Sequence, residues 1–114
     1  MGYPGSQNEF GQLGSVFLDT AANAITPPTG RVFVAITFLE NTTFDSIGGL
    51  VAEDSTVFFN TQSAAHSEAS ATGKNGTGGE QVDVTHTFPK GLTIYGRWTE
   101  IDLTSGSIIA YIGA

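Results

Sequence analysis

The stretch RVFVAITFLE, residues 31–40, constrains this chain more than any other. On an extended backbone Val32, Val34, Ile36 and Phe38 fall on one side, and Phe33, Ala35, Thr37 and Leu39 fall on the other. A strand with one face in water alternates apolar with polar residues. Here both faces are largely apolar. Such a strand belongs in the centre of a sandwich, or its outer face is covered by another chain.

The closing run FPKGLTIYGRWTEIDLTSGSIIAYIGA, residues 88–114, raises the same question. Leu92, Ile94 and Trp98 share a parity with Gly96, whereas Ile101 and Leu103 have the opposite one. A strand keeps one parity per face, so the switch between Trp98 and Ile101 predicts a β-bulge or a bend from one sheet to another. The TSG at 104–106 predicts a turn, with SIIAYIG returning antiparallel as the last strand. Further strands are expected at 13–20, 55–62 and 80–88. AANAITPPTG interrupts, because Pro27 and Pro28 cannot donate to a ladder. NTTFDSIGGLVAEDS reads as irregular, with a turn or bulge at Gly48 and Gly49.

The expected fold class is all-β: an antiparallel β-sandwich or jelly-roll-like barrel of about six to eight strands. Residues 1–12 read as an extended N-terminal arm, and 13–114 as a single β domain with a flexible loop at 63–80. One domain is what 114 residues allow. Fifteen glycines alongside 39 % hydrophobic residues fit short strands joined by tight turns.

Composition narrows the partners. Four basic against eleven acidic side chains give a formal charge of −7, and Arg31, Lys74, Lys90 and Arg97 are scattered. Binding a phosphate backbone takes clustered Lys and Arg, so nucleic acid and anionic membrane are not expected partners. No apolar run has the length of a membrane span, and no basic region precedes an apolar one to make a leader. With no cysteine, disulfides, thiolate metal sites and cysteine nucleophiles are excluded.

The motifs offer little chemistry. ATGKNGTGG has Glu68 where a phosphate loop needs its first glycine and Asn75 where it needs Ser or Thr, so it reads as a hairpin tip. Asp83 and His86 lie three apart, which on a strand places them on opposite faces. His86 then joins Val84 and Phe88 on an apolar face as a core or interface histidine. His66 has no evident partner, and no Gly-x-Ser-x-Gly elbow is present. Glu100 and Asp102 share a face but read as a solvated strand edge rather than a paired-carboxylate site. Trp98 reads as a core anchor, and Tyr95 beside Arg97 as a surface or interface pair; with Tyr111 they form only a weak sugar-stacking platform. Asn41-Thr42-Thr43 and Asn75-Gly76-Thr77 fit a glycosylation pattern that matters only in a secreted eukaryotic chain. The residues call for no catalytic group, no cofactor and no metal.

Two segments carry a resemblance. GRVFVAITFLENTTFDSI, residues 30–47, and FPKGLTIYGRWTEIDLTSGSIIAYIG, residues 88–113, resemble runs found in small structural proteins of tailed-bacteriophage virions. The shared features are a Gly before an apolar strand, acidic-Thr-Phe, Phe-Pro-x-Gly, Tyr-Gly-Arg and an apolar end strand. The resemblance implies a non-enzymatic virion role, as a head decoration (cement) protein on the capsid exterior, made in the host cytoplasm. Its partners would be the major capsid protein and further copies of itself, a trimer being favoured by architecture. A tail or fibre component and a carbohydrate-binding β-sandwich are the alternatives. The interface residues expected from the two apolar segments are Phe33, Leu39, Tyr95, Arg97, Ile109 and Tyr111.

Overall fold

The computed structural model describes residues 13–20, 23–65 and 80–114. The expected N-terminal arm at 1–12 and most of the loop at 63–80, with His66 and Asn75, lie outside the described residues. The protein is all-β, with seven strands among the described residues: β1 (Ser15–Asp19), β2 (Val32–Phe38), β3 (Thr43–Phe44), β4 (Leu50–Ala52), β5 (Thr93–Ile101), β6 (Leu103–Ser105) and β7 (Ser107–Gly113). They form a five-stranded sheet in the order β1-β7-β2-β5-β4 and a two-stranded sheet of β3 and β6, every ladder antiparallel. This is a β-sandwich of unequal layers.

The two-sided apolar strand is central, as its composition requires: β2 lies between β7 and β5. Strict alternation does not hold along it. The register slips between Phe33 and Ala35 against both neighbours: against β7 Val34 is the extra residue, and against β5 the extra residue lies on β5 between Tyr95 and Trp98. The bulge turns Phe33 onto the same face as Ile36 and Phe38, and all three are fully buried in the core. Phe33 therefore leaves the expected interface.

The parity switch in the last segment has a similar origin. Against β4, Ala52 pairs with Trp98 while Val51 pairs with Glu100, which leaves Thr99 as an extra residue. The chain then crosses from the large sheet into β6 and returns to the large sheet as β7. Gly106 makes that return with φ +95°, and a Cβ there would lie 2.2 Å from Thr42 Oγ1. Only glycine fits. Strand β7 returns antiparallel as the last strand, pairing with β1 and β2, so β2 separates it from β5. Strand β5 is not an edge, since β4 covers its far side, and Glu100 and Asp102 are half-buried.

Two expected strands are coil. Residues 55–62 turn after Asp54, whose Oδ1 accepts from Thr56 N and Thr56 Oγ1. Residues 80–88 turn after Asp83, whose Oδ1 accepts from Thr85 N and Thr85 Oγ1. Only isolated bridges remain, Ile47 with Gln62, Thr61 with Val82 and Thr42 with Phe88. This coil still packs. Phe88 stacks on Phe38 at 5.1 Å and meets Phe44 edge-on at 5.2 Å, while Phe59 meets Trp98 edge-on at 5.6 Å. The Trp98 indole N–H donates to Phe59 O at 3.0 Å. Aromatic coil and the β3–β6 sheet together make the second layer, and it covers one face of the large sheet.

Candidate interaction surface

Among the described residues, none forms such a layer over the other face of the large sheet. Register defines it row by row. Phe17 lies across from Ile109, Ile109 from Thr37, and Thr37 from Thr93. In the next row Ser15 lies across from Tyr111, Tyr111 from Ala35, and Ala35 from Tyr95. Phe17 and Tyr95 are each 62 % exposed, and Ile109 and Tyr111 are half-buried. Ala35 is buried but lies outside the core cluster, because Tyr111 and Tyr95 flank it on the outer side. The Thr37 and Thr93 hydroxyls bond each other at 2.9 Å. The result is a flat surface, aromatic and aliphatic at its exposed points, set on a hydrogen-bonded sheet.

At one corner Arg97 shares the outward parity of Tyr95. Its Nε donates to Glu53 Oε1 at 2.6 Å, its Nη2 to Glu53 Oε2 at 3.3 Å, and its Nη1 to the Ala114 carbonyl at 2.8 Å. The paired guanidinium holds the Glu53 carboxyl below the usual carboxylate range, and Glu53 raises Arg97 in return. This forked pair fixes the Arg97 side chain at the rim of the surface.

Of the residues expected at an interface, Tyr95, Ile109 and Tyr111 come together here, with Arg97 at the corner. Leu39 lies just past the end of β2 and is half-buried. Phe33 is in the core. Phe17 was not among them and is the most exposed aromatic on the face, together with Tyr95. Trp98 is fully buried and cannot join a stacking platform with the two tyrosines.

The polar clusters lie elsewhere. Asp83 and His86 are brought together by the turn, with Asp83 N donating to His86 Nδ1 at 3.0 Å and Oδ1 at 3.2 Å from the same nitrogen. His86 is exposed rather than on an apolar face. Asp45 accepts a short bond from the Thr104 hydroxyl and lies beside Asp102, whose carboxyl is pushed up by burial, then by the Asp45 hydrogen bond and charge. Among the described residues, no group of three or more acidic or histidine side chains is placed to hold a metal ion. Among the same residues, no helix is long and apolar enough to cross a membrane.

Fold and surface define a class, an all-β sandwich with one apolar sheet face turned outward. Comparison with protein-family models, with characterised proteins and with solved structures finds no match to the chain.

Proposed function

We propose that this protein is a non-enzymatic structural subunit of a bacteriophage virion, a decoration protein that binds the outer surface of the assembled head through the outer face of its large sheet. One observation carries the reading: Phe17 and Tyr95, strongly exposed, and Ile109 and Tyr111, half-buried, stand together on the face of the large sheet opposite the second layer that the described residues form. Contiguous apolar surface of this kind marks contact with another macromolecule. The two segments that resemble phage structural proteins supply β2, β5 and β7, the three strands that build most of this face. A rigid sheet suits the task, since little conformational entropy is lost when it docks. Binding only the assembled shell stabilises that shell by mass action. Contacts from several copies multiply the effect.

The test is co-sedimentation with emptied tailed-phage heads. The expected result is that the chain pellets with heads, not with unassembled capsid protein, and raises the temperature at which heads disrupt. The variant Tyr95→Ser/Ile109→Ser/Tyr111→Ser should remain folded and stay in the supernatant. Failure to bind heads, with labelled protein found on tails in electron micrographs, would move the assignment to a tail or fibre part.

A further inference from the structure

The two edges of the large sheet are built differently. At β4 the backbone groups of Leu50 that face outward are satisfied within the chain: Thr61 N donates to Leu50 O at 2.8 Å, and Leu50 N donates to Thr61 Oγ1 at 3.0 Å. That edge is closed.

At β1 the geometry runs the other way. Gly14 O accepts from Ile112 N at 2.9 Å, in register with the β1–β7 ladder. In an antiparallel pair bonded and non-bonded positions alternate. Val16 and Leu18 therefore turn their backbone groups towards β7, and Ser15, Phe17 and Asp19 turn theirs to the outer edge, where no described strand pairs with them. The side chains of these same three residues are exposed. Exposed edges in natural sheets carry lysine, proline or a bulge that discourages pairing. The sequence SVFLD has none of them, and the β1–β7 register is unbroken.

We infer that β1 pairs with β1 of a second copy, antiparallel about a two-fold axis at Phe17, joining two five-stranded sheets into one. The register is self-complementary. Phe17 meets Phe17 of the other copy, Ser15 meets Asp19, and about six backbone hydrogen bonds form. The strand's one charge, Asp19, faces a serine and never its own copy. On the inner side Val16, half-buried in the single chain, gains Leu18 of the other copy as its cross-strand neighbour. On the outer side the two Phe17 rings meet, so the two outer faces become one continuous surface. A two-fold contact is closed by two copies, so the oligomer is a dimer in place of the trimer favoured on architectural grounds. The inference does not rest on the virion role.

The contact is small, so the association belongs at about 10–100 µM protein. Sedimentation of the full chain in that range should give twice the protomer mass at the top. Phe17→Pro removes only a donor that points away from β7 and should halve the mass, with Phe17→Thr, which keeps the donor, retaining part of the association. The chain has no cysteine, so Phe17→Cys gives a single thiol at the axis. There the Cα–Cα distance of about 5.5 Å suits a disulfide. Phe17→Cys should cross-link nearly completely under mild oxidation, whereas Tyr95→Cys, at a site of equal exposure, should not. A chain that is monomeric at the highest concentration overturns the inference. So does an oligomer that keeps its mass with a folded Phe17→Pro, or one that cross-links as readily through Tyr95→Cys. Head binding by a protein that proves monomeric would leave the virion reading standing and this one refuted.

Discussion

The inner and outer faces of one five-stranded sheet use the same kinds of residue to opposite ends. On the inner face Phe33, Ile36, Phe38, Trp98, Ile101 and Ile108 are fully buried beneath aromatic coil and a small second sheet. On the outer face Phe17, Tyr95, Ile109 and Tyr111, on β1, β5 and β7, meet no covering layer among the described residues. Hydrophobicity alone does not distinguish the faces. The difference lies in which face the described coil and small sheet cover, and it separates residues packed in the protomer core from those exposed at its surface.

The strongest way to break that contrast is to truncate one aromatic on each side of β5. Trp98→Ala should cost about 3–5 kcal/mol, since it leaves a large cavity and frees the Phe59 carbonyl that the indole N–H satisfies. Tyr95→Ala should change stability by no more than about 1 kcal/mol. Urea unfolding of both variants measures the gap, and equal losses would erase the distinction between the faces.

Gly106→Ala comes next. A side chain at φ +95° is strained, and its Cβ would collide with Thr42, so a loss of about 2 kcal/mol or more is expected by thermal unfolding. Thr61→Val keeps the shape but removes the hydroxyl that closes the β4 edge. Leaving buried Leu50 N without its acceptor should cost about 1–2 kcal/mol, and amide exchange at Leu50 should quicken.

The smallest effect is electrostatic, and its sign differs between two carboxyls. Asp102 is raised in the folded protein, so it contributes stability that is present below its ordinary value near 4 and is lost as pH rises through the raised folded value. Asp102→Asn should therefore stabilise at pH 7 by about 0.5 kcal/mol, a gain that vanishes towards pH 3. Glu53 is depressed by Arg97, so its contribution is present above the ordinary carboxylate value and fades as pH falls. Glu53→Gln should remove that acid dependence with little change at neutral pH, because the pair is solvent-exposed. Melting curves across pH 3–8 would read both.

Much of the fold was legible because β-branched and aromatic residues crowd the segments that became β2, β5 and β7. The slip within β2 was hidden by the feature that marked the strand. With apolar residues on both sides, one extra residue leaves the pattern unchanged, and Phe33 was placed on the wrong face. The false strands at 55–62 and 80–88 share a signal that could have exposed them: Asp54-Ser55-Thr56 and Asp83-Val84-Thr85 both place an Asp two residues before a Thr. In both, the carboxylate takes the Thr N–H and hydroxyl and turns the chain out of a ladder. At the candidate surface Tyr95, Ile109 and Tyr111 could be read from parity beside Trp98 and Ile108. Phe17 shares its parity with the polar Ser15 and Asp19, a signal that lies in SVFLD and outside the two long apolar segments from which the interface residues are read.

Hydroxyl-radical footprinting, with the protein alone and with it seated on heads, tests the two-faced sheet most directly. Oxidation of Phe17, Tyr95 and Tyr111 should be strong in the dilute protein and fall several-fold on assembly, while Trp98 stays unmodified in both. Equal oxidation of those three residues before and after assembly, or ready oxidation of Trp98 in the free chain, would contradict it.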